Sequence, residues 1–516
     1  MNLRNMRLAA PDLSKDSGRK RAALVHMVCG NFVTVIVIIQ GLVLIPLYFK
    51  YIGLELYGVW LATGGVLAGV SLVNFGVDPL VMQKMSRAYG SRRFKAIAKY
   101  YSNGIFISIF ICGFAILLGL VFSNYLHFLF DLNSTNQQLI KSCFQIAVIA
   151  LGVDILSQSI SGLSRSLLRP LFSSVLRAIS RLLGFFLIWF LLTLGFGLWA
   201  AAFGLLFVST FNFLGNFFYS FYLYTGLHQR VIFSWVIIRS YLKISPMLYC
   251  SRLSNIVSVK TEPLMIALLI SPEMTAIYTV MIRAIEIVVR LLANVRSALF
   301  PSIANFFGII NEASDKSLKY QPFNIIVLLS LVGASCYLFL NEQFITLWIG
   351  LDEIAQYDYV VLLLGIAYFF YLLNRAQVVY LHAFGDFSRS SVSVLLENIL
   401  RMVLTLIFLK IYGLVGVPLS ILISSLAFSL NYARMLSSYD FRIIHSLNGK
   451  EWIGILLIFV ISIYGSMIHF EKQSWEVFIF VSLLISTGLF ALGLIFFDDS
   501  RKFVVDQFSK YCKYGF

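Results

Sequence analysis

Ile52-Gly53-Leu54-Glu55-Leu56-Tyr57-Gly58-Val59-Trp60 recurs in outline, 218 residues later, as Ile270-Ser271-Pro272-Glu273-Met274-Thr275-Ala276-Ile277-Tyr278. Each stretch reads as a tight turn in which a Glu follows an Ile by three positions and opens a helix. A carboxylate there suits the positive end of the helix dipole. The same offset carries Gly195 onto Gly413, each in the turn before a late apolar block. Single matches this sparse mean little, but a shared offset points to a duplicated unit.

Working outward from the two turns, the chain is a succession of apolar blocks. Of its 516 residues 59% are hydrophobic and only 12% charged, with a mean hydropathy of +0.86. A soluble domain carries about twice that charged fraction. Blocks fall near 22–49, 56–77, 100–124, 139–162, 175–194, 197–222, 243–270, 274–299, 323–341, 358–384, 390–411, 413–435, 451–469 and 476–497. Each suits the roughly 20 residues a transmembrane helix needs, and they are too long and uniformly apolar for β-barrel strands. The expected fold is therefore an all-α polytopic membrane protein of about fourteen spans, two pseudo-symmetric six-helix lobes plus two C-terminal helices.

The segments follow. Residues 1–21 form a basic tail, 22–222 the first lobe, 223–242 an amphipathic linker, and 243–435 the second lobe. Residues 436–450 form a loop, 451–497 the last two spans and 498–516 a C-terminal tail. The basic tail lacks the cleavage site of a signal peptide, so the run after it reads as a first span.

The net charge of +16 sits mainly in alternate loops. One set holds Lys84, Arg87, Arg92, Arg93, Lys95 and Lys99, then Arg165 and Arg169, Arg230 and Arg239, Lys316 and Lys319, Arg389, and Arg434, Arg442 and Lys450. The opposite set holds only Lys50, Lys410 and Lys472, together with the acids Glu342, Asp352 and Glu353. This is the positive-inside pattern, which places both termini in the cytoplasm and argues against nucleic acid as a partner. Segments 80–99 and 224–242 mix basic and apolar residues and read as amphipathic helices on the inner surface. The six cysteines are scattered without metal-ligand spacing. No P-loop, HExxH or nucleophile elbow appears, so no cofactor and no enzyme chemistry are expected.

The informative residues are the charges inside the apolar blocks, since each costs roughly 2.5–3.5 kcal/mol near the bilayer centre unless sheltered. Arg283, Glu286 and Arg290 fall at i, i+3 and i+7 on one helix face, continued by Asn294 and Ser297. Arg252, Asn255, Ser258 and Glu262 make a similar stripe on the preceding block, with Lys260 off it. In the first lobe Ser71, Asn74 and Asp78 form a milder stripe on the second block, facing Asn31 and Thr34 on the first. If the first two helices of each lobe face centrally, these stripes line one shared cationic cavity. Alternatively, Glu286 neutralises Arg283 and Arg290 on its own helix. Asp154, isolated in the fourth block, suits proton coupling or pairs with Arg177 or Arg181. Arg375, Glu397 and Arg401 read as a structural clamp, with Glu397 and Arg401 spaced i, i+4. Gly65 and Gly69 suggest close helix packing.

Pro46-Leu47-Tyr48-Phe49-Lys50-Tyr51-Ile52-Gly53-Leu54-Glu55-Leu56-Tyr57-Gly58-Val59-Trp60 resembles the junction of the first two helices in the Wzx-type polysaccharide (O-antigen) flippases. These belong to the multidrug/oligosaccharidyl-lipid/polysaccharide (MOP) exporter superfamily. Leu381-His382-Ala383-Phe384-Gly385-Asp386, then Glu397-Asn398, then Tyr412-Gly413-Leu414-Val415-Gly416-Val417-Pro418, looks like the family's tenth-to-twelfth-helix region. The resemblance spans about residues 22–435; the last two spans have no counterpart in twelve-helix members. It implies a MATE-like fold in the bacterial cytoplasmic membrane, and an oligosaccharide on undecaprenyl diphosphate as cargo. It also implies membrane lipids, a polysaccharide polymerase and a chain-length regulator as partners. On that reading Arg252, Arg283 and Arg290 hold the diphosphate, and Asn31, Ser71, Asn74, Asn255, Ser258 and Asn294 contact sugars. Asp78, Asp154, Glu262 and Glu286 are the ion-coupling candidates. A cation-coupled multidrug antiporter of the same superfamily is the alternative, and would favour acidic stripes. A membrane polysaccharide polymerase would want a large outer loop that the chain lacks.

Overall fold

The computed structural model describes residues 16–74, 77–130, 133–167, 169–241, 253, 261–309, 316–350, 357–439, 441, 448–466, 474–498 and 500–501. Described residues are almost entirely helical, as the apolar blocks demand, because a bilayer leaves no other partner for backbone polar groups. Among the described residues, eleven segments are long and apolar enough to cross a membrane, and one of them, Phe387–Ser437, is two consecutive helices. The block expected at 243–270 lies largely outside the described residues. The block expected at 274–299 is two helices meeting at Ile282. The chain divides into two compact units, Met1–Leu268 and Leu269–Phe516.

The first unit holds α1 (Asp16–Tyr51), α2 (Leu54–Ser71), α3 (Val77–Gly90), α4 (Phe94–Ser123), α5 (Ser134–Ser166), α6 (Leu171–Thr193), α7 (Leu198–Gly226) and most of α8 (Glu262–Leu269). α2 ends in a 3₁₀ turn, Leu72–Asn74, before α3 starts with Asp78 and Pro79 in its first turn. Proline has no N–H to extend the helix from α2, yet its fixed φ suits a helix start. α3 was expected to lie on the membrane surface with the 80–99 segment. Instead Leu80, Val81, Met85, Ala88 and Tyr89 are buried against α4 and α5. The apolar face of α3 has protein to cover it.

Residues 227–241 return across this unit. Asn103, wholly buried in α4, donates from Nδ2 to the Ile232 carbonyl (2.7 Å), and its Oδ1 accepts from the Ser234 N–H (2.8 Å). Ile238 and Tyr241 enter the core, while Lys84 Nζ donates to Ser240 Oγ and lies 4.6 Å from the centre of the Tyr241 ring. Val231, Phe233, Trp235 and Val236 point outward.

The second unit holds α9 (Pro272–Met281), α10 (Arg283–Ile309), α11 (Lys316–Ile349), α12 (Asp358–Ala383), α13 (Phe387–Tyr412), α14 (Gly416–Ser437), α15 (Gly449–Ser466) and α16 (Trp475–Phe496). α9 starts from Ser271, whose hydroxyl accepts the Met274 N–H at 3.2 Å, with Pro272 at the first helical position. At the α9–α10 junction the Tyr337 hydroxyl donates to the Met281 carbonyl (3.1 Å). α15 and α16 both pack on α11, where Gly465 lies against Phe339 and Gly493 against Leu328.

Helix boundaries carry the duplication that the turns announced. Leu54 and Pro272 open α2 and α9 218 residues apart; Leu198 and Gly416 open α7 and α14 at the same spacing. Gly195 and Gly413 both adopt positive φ, 83° and 58°, a conformation that L side chains resist. The packing repeats too. In the first unit α3 packs on α4 and α5, α4 on α5, α5 on α7, and α6 on α7. In the second, α10 packs on α11 and α12, α11 on α12, α12 on α14, and α13 on α14. Gly65 is buried, but a Cβ on Gly69 would meet no described atom within 4 Å, so Gly69 does not mark close packing.

Candidate functional site

The stripe on α10 forms as its spacing requires. Arg283 Nη1 lies 3.2 Å and Arg290 Nη2 3.5 Å from the same oxygen, Glu286 Oε2. One carboxylate therefore sits between two guanidinium groups, and the stripe keeps a net positive charge. The Arg283 side chain is mostly buried, with Nε lacking a partner among the described residues; that of Arg290 is 38% exposed. Asn294 continues the same face, half-buried, and Ser297 is exposed. Glu262 begins α8 and is buried. Arg252, Asn255, Ser258 and Lys260 lie outside the described residues, as does the side chain of Asn31.

In the first unit, Ser71 donates to the Ala68 carbonyl at 2.7 Å, within its own turn. Asp78 is braced at the α2–α3 break. Its Oδ2 accepts from Asn74 Nδ2 at 3.2 Å, and its Oδ1 accepts from Ser159 Oγ of α5. Ser159 is in turn 2.6 Å from Ser108 Oγ of α4. A carboxylate so placed ties α3 to α5 just after the second span ends.

Asp154 is not alone. Three helices of the first unit each turn a polar stripe toward one cleft of about 440 Å³. α5 supplies Asp154, Ser157, Gln158, Ser161 and Arg165; α6 supplies Arg177 and Arg181; α7 supplies Ser209, Asn212 and Asn216. The spacings are helical, i, i+3, i+4, i+7 and i+11 on α5, and i, i+3 and i+7 on α7. Asp154 accepts from Gln158 Nε2 at 2.7 Å and acts on Arg181 through space, without ion-pair contact. Arg165 is anchored to Ser161 Oγ (2.9 Å) and the Gln158 carbonyl (3.0 Å). The Arg177 and Arg181 guanidinium groups have neither hydrogen bond nor ion pair among the described residues. Packing fixes the walls: Gly184 and Gly204 interlock with Val208 and Ile188, and Gly215 with Leu176. The sequence carried this site as three separate polar stripes. By itself the sequence relates only Asp154, Arg177 and Arg181 to one another.

At the equivalent junction in the second unit, among α12, α13 and α14, side chains from the three helices meet on one carboxylate. Arg375 of α12 pairs with Glu397 of α13, whose oxygens also accept from Tyr432 (2.8 Å) and Asn374 (3.0 Å). Arg375 and Arg401 lie 4.8 and 5.9 Å from the centre of the Tyr371 ring. The expected clamp is present, with Arg375 from the neighbouring helix holding Glu397.

Residues 58–190, from α2 to α6, match the MatE family. No curated protein matches the sequence. Among solved structures, the lipid II flippase MurJ in an inward closed conformation has a TM-score of 0.67 at 15% identity, covering 91% of this chain and 98% of its own. A MATE-family multidrug resistance transporter of the MOP superfamily, inward-facing, has a TM-score of 0.62 at 13% identity, covering 77% and 95%. An outward-facing MATE transporter of that superfamily reaches 0.56 at 15% identity, covering 82% and 96%. At these identities the likeness is one of architecture: this chain has the helical fold shared by the MATE and MurJ transporters.

Proposed function

We propose that the chain is a flippase carrying an oligosaccharide on a polyprenyl diphosphate across the bacterial cytoplasmic membrane, by alternating access, for surface polysaccharide synthesis. The observation that carries this reading is the sign of the charge in the membrane helices. The α10 stripe sets two arginines against one carboxylate, and the α5–α7 cleft sets three against one. An unpaired sugar hydroxyl costs roughly 4–8 kcal/mol in hydrocarbon, so a head group of several sugars needs a polar path. Guanidinium groups bind phosphate oxygens in a fork, which suits a diphosphate at Arg252, Arg283 and Arg290. An inside-negative potential favours outward movement of an anion by about 2.3 kcal/mol per charge per 100 mV. Asp78, Asp154, Glu262 and Glu286 are where a coupling ion would bind. Both termini in the cytoplasm, and a polymerase and chain-length regulator as neighbours, belong to the same proposal.

A cation-exporting multidrug antiporter is the second reading, favoured by the MatE match and the MATE likenesses. The test is reconstitution into vesicles with a lipid-linked oligosaccharide accessible to a lectin or glycosidase on one side only. The flippase reading expects protein-dependent transfer to the other leaflet. Absence of transfer, with gradient-driven efflux of a cationic dye by the same vesicles, would overturn it.

A further inference from the structure

The internal duplication supplies its own control. Two sets of three corresponding helices, α5–α7 and α12–α14, pack in the same pattern. In the second set a buried carboxylate, Glu397, is held by Arg375, Tyr432 and Asn374. That arrangement ties the three helices together through one carboxylate. In the first set the corresponding space is an open cleft of about 440 Å³, within the size range of small-molecule sites. Its charges are not matched. Arg177 and Arg181, one turn apart on α6, repel each other, and the single carboxylate of Asp154 stands off from both. Arg181 is half-buried, and its guanidinium has no hydrogen bond or ion pair among the described residues, with the exposed Arg177 beside it.

The neutral side chains narrow the chemistry. Asn216 is buried and lines the cleft; its Nδ2 donates to the Asn212 carbonyl (2.9 Å) and to Ser157 Oγ (3.4 Å). Those bonds fix the amide, leaving Oδ1 buried with no donor among the described residues. An orphaned buried acceptor is costly unless a ligand supplies an O–H or N–H. Two guanidinium groups able to fork onto an anion thus share a cleft with an acceptor waiting for a hydroxyl.

We infer that the α5–α7 cleft is a binding site for a phosphorylated polyol or sugar, with Arg177 and Arg181 on the phosphoryl oxygens and Asn216 Oδ1 accepting from a hydroxyl. Asp154 sets the affinity by opposing the anion, which permits release. The site stands on the geometry of the first unit; it rests on the flippase reading only for where the ligand comes from. Phosphoryl and hydroxyl groups together also occur on the bilayer headgroup phosphatidylglycerol.

The test is equilibrium binding to the purified full chain in nanodiscs, with a radiolabelled hexose 1-phosphate as probe and the neutral hexose as control. The expected result is saturable binding of the phosphate ester and at least tenfold weaker binding of the hexose. R177Q/R181Q should weaken binding at least tenfold, and D154N should tighten it several-fold. A gain in D154N cannot arise from misfolding, so it keeps the test decisive if the double variant is unstable. Equal affinity for both sugars, or binding unaltered in D154N and the double variant, would overturn the inference. Nanodiscs with and without phosphatidylglycerol separate the sources. Competition by the lipid assigns the site to a headgroup and lack of competition to a phosphosugar; either outcome sustains the shared chemistry. Binding without transfer of lipid-linked oligosaccharide would sink the flippase reading and leave this site standing.

Discussion

Arg375 of α12 reaches Glu397 of α13, and the two form a buried ion pair that Tyr432 of α14 completes by donating to the same carboxylate oxygen. Three helices are joined through one charge. Removing one partner from such a pair is expensive, because the other is left buried and unmatched. Glu397→Gln is expected to destabilise the protein by about 3–5 kcal/mol. Thermal unfolding in detergent, followed by tryptophan fluorescence, checks it; a melting temperature equal to that of the natural chain would show that the pair is not needed.

The α10 stripe makes a different demand. Arg283 and Arg290 share Glu286, and Arg290 is the more exposed of the two. Arg283→Glu with Arg290→Glu is expected to abolish delivery of lipid-linked sugar at unchanged protein abundance. Arg290→Lys keeps the charge without the fork and should fall between. Surface polysaccharide in a strain carrying each variant is the readout, and normal polymer in the double variant counts against the flippase proposal.

Helix contacts through glycine give a packing test. A Cβ on Gly465 would collide with the Phe339 ring, whereas one on Gly488 would meet nothing within 4 Å. Gly465→Ala should cost about 1–3 kcal/mol of stability by overpacking. Gly488→Ala, in the neighbouring helix, should be neutral or slightly stabilising, since alanine is the better helix former. Comparing the two melting temperatures checks the docking of α15 on α11.

Asn103 fastens the returning chain by two hydrogen bonds, to Ile232 and Ser234. Asn103→Leu keeps the volume and removes both. Faster hydrogen exchange at 231–236, with exchange in α5 unaffected, is the expected outcome.

Much of this was legible in the residues because its physics is local or one-dimensional. Twenty-residue apolar blocks have no stable state in lipid other than a helix. The turn before α7 needs a residue tolerant of positive φ, so Gly195 and its echo Gly413 disclosed the duplication before any coordinate did. The spacing of Arg283, Glu286 and Arg290 gave their pairing, since i, i+3 and i+7 share a face.

What the chain alone did not determine depends on side chains meeting across helices. The face of α3 is amphipathic whether water or protein covers it; only packing decided that Val81, Met85 and Tyr89 go against α4 and α5. Glu397 had a partner available on its own helix and another on the next, and the approach of α12 to α13 brought Arg375 onto it. Polar stripes on α5, α6 and α7 are each ordinary by themselves. Their convergence into one cationic cleft is a property of tertiary structure. Helix periodicity specifies which residues share a face, whereas the distances between faces are set by the close packing of every side chain at once.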